Sequence, residues 1–201
     1  MPYYVIKRIF DFTAALLGLI LLLPIFGVIA IAIKWDSRGP VFFKQKRMGK
    51  GGTIFHIYKF RTMVSDADRT GCPITVWNDH RITRVGGILR KYRLDELPQL
   101  INVVLGDMSL VGPRPELPKY KRCYSGSFRA VLEVRPGITD PATLYFRDET
   151  TLLRGRADPE EYYLEEILPK KLQSNLAYLS ESTLRKDVQL IFKTLTVSFS
   201  P

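Results

Sequence analysis

The hydrophobic pattern changes period several times along the chain. Ala14 to Ile33 is a run of 20 residues without a charged side chain. As a straight helix it would reach about 30 Å, the thickness of a bilayer's hydrocarbon core. A soluble domain of this size does not need such an element. Beyond it, Val41–Arg47 and Thr53–Phe60 are short runs rich in β-branched and aromatic residues, joined by Gly49-Lys50-Gly51-Gly52, and they predict a β-hairpin. Residues 64–80 are polar and contain Gly71, Pro73, Asn78 and Asp79, which predicts a loop. Ile82, Val85 and Leu89 recur at helical spacing over Ile82–Tyr92, with Gly86-Gly87 as a weak point. Leu97–Leu105 predicts another helix, with Pro98 in its first turn and Gly106 at its end.

Asp107–Arg114 is short and rich in turn formers. Asp158-Pro159-Glu160-Glu161 combines an N-cap, a first-turn proline and acidic residues at the positive end of a helix, and Pro169 is expected to separate that helix from the next. At the C terminus Leu184, Val188, Ile191, Phe192 and Leu195 share one face, with Arg185, Lys186 and Lys193 elsewhere. This is an amphipathic basic helix, packed on the core or lying in a membrane interface.

The apolar run admits three membrane readings. Lys7 and Arg8 followed by a hydrophobic stretch and Ala30-Ile31-Ala32 resemble a cleavable signal peptide, but the stretch exceeds the usual length and Asp11 interrupts its start. A single-span anchor is the second reading. The third is a re-entrant helix, because Pro24 near the midpoint removes a helical hydrogen bond and favours a kink. Lys7 and Arg8 before the run and Lys34 and Arg38 after it put positive flanks on both sides, and positive flanks stay in the cytoplasm.

Composition narrows the partners. The formal charge is +10, which points to an anionic partner: nucleic acid, anionic lipid or phosphorylated substrate. A hydrophobic content of 46% excludes disorder. Cys72 and Cys123 lack CxxC spacing, so a disulfide framework or zinc site is not expected and a reducing compartment fits. His56 and His80 read as ordinary surface or loop residues.

Candidate chemistry lies in the middle of the chain. Asp95 and Glu96 follow the cations Arg90, Lys91 and Arg93. On a helix adjacent side chains diverge by about 100°, so the two carboxyls would do different jobs: a nucleophile or Mg²⁺ ligand, and an orienting group, acid or base. The plain alternative is an acidic helix start. Arg114 stands between Pro113 and Pro115, a stiff setting suited to a bidentate phosphate contact, or a rigid surface turn. Lys59 and Arg61 flank Phe60 at a strand end, as phosphate ligands or as edge-strand charges. No Walker, GxGxxG, HExxH or GxSxG pattern is present.

The ordered set Lys59-Phe60-Arg61-Thr62-Met63, Arg81-Ile82-Thr83-Arg84-Val85-Gly86, Leu94-Asp95-Glu96-Leu97-Pro98-Gln99, Gly106-Asp107-Met108-Ser109, Gly112-Pro113-Arg114-Pro115 and Arg135-Pro136-Gly137-Ile138-Thr139 resembles the bacterial sugar transferase family. Its small members are monotopic polyprenyl-phosphate phosphoglycosyl transferases. The resemblance runs from the membrane segment to at least Thr139. It implies an α+β fold: a re-entrant membrane helix over residues 1–36 broken at Pro24, then a compact, mainly helical cytoplasmic domain over 37–201 with a small β-hairpin and amphipathic interfacial helices. It implies that Asp95 attacks the β-phosphate of a UDP-sugar and binds Mg²⁺, that Glu96 assists, and that Arg114 binds phosphate. Undecaprenyl phosphate would then accept the phosphosugar, at the cytoplasmic face of a bacterial inner membrane and among its lipids. Lys59, Arg61 and Arg90 are assigned to phosphate from charge and position, and Arg147 from the place it would take in the pattern. After Thr139 the chain departs from that pattern with Asp140-Pro141-Ala142-Thr143-Leu144-Tyr145-Phe146-Arg147-Asp148-Glu149, a region expected to influence sugar choice. The sugar, the glycan pathway and homo-oligomer formation stay open. The rival readings are a non-catalytic membrane-anchored basic adaptor and a nucleic-acid binder. The cations form no recognisable nucleic-acid motif, so no nucleic-acid partner is expected.

Overall fold

The computed structural model describes residues 2–65, 67, 79–147 and 149–198. Among the described residues the fold is mainly helical α+β, with one long apolar helix and two small sheets. Most of the loop expected over 64–80, together with Cys72, lies outside the described residues.

Helix α1 spans Pro2–Asp36, 35 residues. The break expected at Pro24 is not there: the helix runs through it as one element. A proline deletes one backbone hydrogen bond, and the apolar turns on either side carry the helix across the gap. One face of α1 packs inward through Ala15, Ile29 and Ile33, while Leu21 is 76% and Trp35 87% exposed on the outer side. An apolar face this long, left open to solvent, marks α1 as the membrane-associating element.

Both ends of α1 are tied to the body of the protein. Near the start, Lys7 donates to buried Asp187 at 2.7 Å, Arg8 donates to the Val103 carbonyl at 2.8 Å, and Asp11 accepts from Ser109 at 2.6 Å. At the far end, Asp36 accepts from the Val85 amide at 2.9 Å. The Arg61 guanidinium donates to the carbonyls of Ser37 at 2.8 Å and Arg38 at 2.7 Å, fastening the chain just after α1.

The hairpin forms as predicted, with β1 (Phe42–Met48) antiparallel to β2 (Ile54–Phe60). Its register sets Phe43 opposite Lys59 and Gln45 opposite Ile57. Helix α2 (Arg84–Lys91) starts at Thr83, whose hydroxyl caps the Gly86 amide. A 3-10 turn, Leu94–Glu96, follows, and then α3 (Gln99–Leu105). Fully buried Asn102 of α3 works like a fragment of strand: its side chain accepts from Tyr58 N at 2.9 Å and donates to His56 O at 2.8 Å, fastening α3 to β2.

Within the stretch read only as turn-rich, β3 (Ser109–Val111) pairs in parallel with β4 (Gly137–Thr139). The pairing draws Gly112 and Gly137 so close that a Cβ on Gly137 would lie 2.1 Å from the Gly112 nitrogen. The connection between the strands carries 3-10 helices at Pro118–Cys123 and Gly126–Glu133. Four short-to-medium helices follow: α4 (Pro141–Tyr145), α5 (Glu149–Leu152), α6 (Pro159–Tyr162) and α7 (Leu168–Ser180). A π-helical turn, Tyr163–Ile167, joins α6 to α7. Pro169 therefore stands in the first turn of α7 rather than between two separate helices, at a position where its missing N–H costs least. The final helix, α8 (Leu184–Ser198), turns Asp187 into the core and leaves Phe192 and Leu195 exposed.

Three apolar clusters hold the body together. One sits under α7 (Tyr120, Tyr163, Ile167, Leu172), one joins Ala15 of α1 to Ile57, Val103 and Met108, and one joins Ile29 and Ile33 of α1 to Phe60 and Leu89. Two of the three contain α1 residues, so the membrane-associating helix is also a wall of the fold.

Candidate active site

Local rules place the carboxyl pair. Arg93 adopts a left-handed conformation, φ 55°, uncommon for a side-chain-bearing residue. It ends α2 abruptly and starts the 3-10 turn that carries Asp95 and Glu96. The two carboxyls thus sit in a tight turn ahead of α3, not in the first turn of the helix itself.

Their surroundings differ. Glu96 takes a bidentate pair of hydrogen bonds from Arg114, one of them from Nη1 at 3.1 Å, and a further bond from Lys59 Nζ at 2.9 Å. Burial alone would raise its pKa, but Arg114 and Lys59 outweigh that and hold the carboxyl well below the usual carboxylate range. Asp95, 9% exposed, makes no hydrogen bond or ion pair among the described residues and faces a cavity. Burial, and then the adjacent Glu96 charge, push its pKa up. The neighbours are thus a locked carboxylate and an unpaired one aimed at open space.

The cavity, about 370 Å³, lies between the hairpin and the turn. Lys59, Arg81, Arg90 and Asp95 line it, and Phe42, Phe43, Gln45 and Arg47 line it along β1. Arg90 is steadied by Thr62 Oγ1 at 2.8 Å. Arg114 is fixed through its own backbone: its amide donates at 2.8 Å to Asp140, which also caps α4 and accepts from Asn175 at 3.0 Å. Asp140, and with it the start of α4, is therefore coupled to the dyad through Arg114.

The structure brings Asp95, Glu96, Lys59, Arg90 and Arg114 together. Arg61 lines the cavity wall, but its terminal nitrogens are engaged with the end of α1. Arg147 is exposed and does not line the cavity, although its charge is felt at Arg93. Phe43, Gln45, Arg47 and Arg81 were not singled out from the sequence. Alternation along β1 was the available signal, since residues 43, 45 and 47 share a face whose direction depends on the hairpin register.

A magnesium ion needs few protein ligands, because it keeps waters and takes substrate phosphates alongside one or two carboxylates. The unpaired Asp95 carboxylate at the cavity wall meets that requirement, and Glu96, occupied by two cations, adds little. No group of three or more His, Cys, Asp or Glu side chains that could hold a metal alone occurs among the described residues.

The sequence model of the bacterial sugar transferase family matches residues 2–201. A UDP-N-acetylgalactosamine-undecaprenyl-phosphate N-acetylgalactosaminephosphotransferase of Aeromonas hydrophila is 37% identical over 201 residues, covering 96% of this chain and 43% of that protein. The UDP-glucose:undecaprenyl-phosphate glucose-1-phosphate transferase of Escherichia coli K12 is also 37% identical, over 96% of this chain and 40% of that protein. The chain thus spans less than half the length of these two relatives. An exopolysaccharide production protein of Rhizobium leguminosarum bv. phaseoli, 37% identical, is matched over 95% of this chain and 94% of its own length. With the family's pattern matched across nearly the whole chain and Asp95 set in a cation-lined cavity, this protein belongs to the bacterial sugar transferase family.

Proposed function

We propose that this chain transfers a sugar 1-phosphate from a UDP-sugar to undecaprenyl phosphate at the cytoplasmic face of the bacterial inner membrane, an initiating step of surface or exported glycan assembly. The observation that carries this reading is the divided dyad: Glu96 clamped by Lys59 and Arg114, and Asp95 unpaired at the cavity wall. Asp95 Oδ attacks the β-phosphorus of the donor. The bond from that phosphorus to the bridging oxygen breaks, and UMP leaves with the electron pair. The lipid phosphate oxygen then attacks the same phosphorus and Asp95 departs as carboxylate, so one transfer becomes two displacements.

Glu96 orients Arg114 and Lys59 toward the phosphoryl oxygens, where fixed cations stabilise developing negative charge. Arg90, held by Thr62 and lining the same cavity as Lys59 and Asp95, adds a third cation. Asp95 would hold Mg²⁺, which when bound neutralises diphosphate charge. The tethering of both ends of α1 to one body supports a re-entrant path, which requires α1 to bend on entering the membrane. Pro24, lacking one backbone hydrogen bond, is the point where α1 bends most easily.

The test is UMP release from a panel of UDP-sugars by purified protein with undecaprenyl phosphate and Mg²⁺, wild type beside Asp95→Asn. Release with one donor, lost in Asp95→Asn and on chelation of Mg²⁺, is the expected result. Undiminished release by Asp95→Asn would remove Asp95 as nucleophile. Silence across the panel from folded, membrane-bound protein would favour a non-catalytic anchor.

A further inference from the structure

Along strand β1, Phe43, Gln45 and Arg47 are half-buried and line the cavity, Phe42 lines it too while stacking on Phe60, and Lys44 and Lys46 are exposed. The side chain of Gln45 is oriented by chemistry rather than by space. Arg47 donates to Gln45 Oε1 twice, from Nε at 3.1 Å and from Nη2 at 2.6 Å. Arginine carries donors only, so the amide oxygen must face it and the amide nitrogen must face away. Arg47 is itself anchored, donating from Nη1 to the Pro115 carbonyl at 3.1 Å, next to Arg114. Gln45 Nε2 donates to no protein atom among the described residues, and Gln45 lines the same cavity as Asp95. The result is a fixed group that can give a hydrogen bond and cannot accept one.

Its neighbours indicate what it meets. Lys59, on β2, holds Glu96, so the charged half of a donor substrate belongs beside the dyad. Phe43 and Gln45 offer an aromatic face and an amide donor, a combination suited to an uncharged ring bearing a carbonyl or hydroxyl oxygen. Building on the phosphosugar reading above, we propose that Gln45 Nε2 donates a hydrogen bond to an acceptor oxygen on the uncharged part of the nucleotide-sugar, and so discriminates among donors. A uracil carbonyl and a sugar oxygen share this chemistry. A cytosine presents an amino donor where uracil presents the O4 acceptor, and would leave Gln45 facing a second donor.

The test is Gln45→Glu, which is isosteric, still accepts from Arg47 and removes the donor while adding one negative charge. Full-length wild type and variant in lipid nanodiscs are compared by KM and kcat for UMP release. The donors are the preferred UDP-sugar, the CDP form of the same sugar, and UDP-sugars lacking single sugar oxygens. The expected result is a KM for the preferred donor raised about 5–10-fold with kcat within about twofold, the loss of one hydrogen bond. That rise should vanish for one class of analogue: for the CDP-sugar if the base is read, or for one deoxy-sugar if the sugar is read. A variant with unchanged KM overturns the inference. So does an equal rise on every donor, which would reflect added charge or altered packing. If Gln45→Glu melts well below wild type, Gln45→Met, neutral and of similar length, is put through the same panel under the same criteria. Wild type silent on every donor fails the phosphosugar reading, and the inference with it; wild type active with an unaffected variant fails the inference alone.

Discussion

Gly86 and Gly87 are adjacent, both lie in α2, and both weaken a helix by intrinsic propensity, yet their surroundings differ completely. A Cβ on Gly86 would lie 2.1 Å from the Thr62 carbonyl oxygen and 2.8 Å from Thr62 Cα, whereas one on Gly87 meets nothing within 4 Å. The close approach is part of how α2 docks: the Thr83 amide donates to Thr62 O at 3.0 Å, and Arg90 reaches Thr62 Oγ1 at 2.8 Å. Gly86→Ala must open the gap from 2.1 Å toward an ordinary 3.4 Å contact, a displacement of about 1.3 Å against backbone that cannot fold away. A 3.0 Å hydrogen bond does not survive a shift of that size. Overpacking plus one or two lost hydrogen bonds amounts to about 2–4 kcal/mol. For a chain of this length that is a fall in Tm of roughly 5–15 °C. Gly87→Ala, free of contacts, should gain about 0.5–1 kcal/mol from helix propensity and reduced unfolded-state entropy. The assay is thermal unfolding of both variants in one detergent, with UMP release measured beside it. Gly86→Ala should also lower turnover, because Arg90 moves with α2. Equal effects of the two substitutions, or a stabilised Gly86→Ala, would refute the argument.

Arg61→Lys should cost about 2–3 kcal/mol, since an ammonium cannot replace the guanidinium fork that bonds both Ser37 and Arg38; thermal unfolding measures the loss, and limited proteolysis near residues 37–39 should accelerate. Asn102→Ala removes the acceptor for Tyr58 N and the donor for His56 O, and should cost about 2–3 kcal/mol, read from denaturant midpoints at constant slope. The side-chain hydrogen bonds from Arg81 hold Asp79 below the ordinary carboxylate pKa. A carboxyl whose folded pKa is depressed adds stability above its unfolded pKa and loses it as pH falls through the folded value. Asp79→Asn should therefore be less stable than wild type by a constant margin from pH 7 down to about 4, with the margin closing at lower pH. A margin independent of pH down to about 2 would dismiss the linkage.

Much of this protein was legible one residue after another. The charge-free run of α1, the Gly-rich turn of the hairpin, the Asp158-Pro159 helix start and the carboxyl pair among cations all follow from local rules: helix length against bilayer thickness, turn chemistry, capping and charge. The ordered motifs carried the family resemblance for the same reason, since each is a short local string. At Pro24 the helix continues as one element, so the proline alone does not break it. A proline penalty is the same in any sequence, but whether a helix breaks there depends on the rest of the molecule, and α1 is anchored near both of its ends, at Lys7 and at Asp36.

The remainder was decided by contacts between residues far apart in the chain. The parallel β3–β4 pair brings residue 111 against 139, a register that no local pattern encodes. Arg61 and Arg114 look alike as basic residues beside motifs, yet one secures the end of α1 and the other clamps Glu96. Gly86 and Gly87 were one weak point in the sequence and are two different residues in the fold. The same holds at the dyad. The sequence determined that two carboxyls would stand side by side, because adjacency is covalent. Only the tertiary structure decided which carboxyl is neutralised and which is left unpaired at the cavity, because that depends on where Lys59 and Arg114 arrive from other parts of the chain.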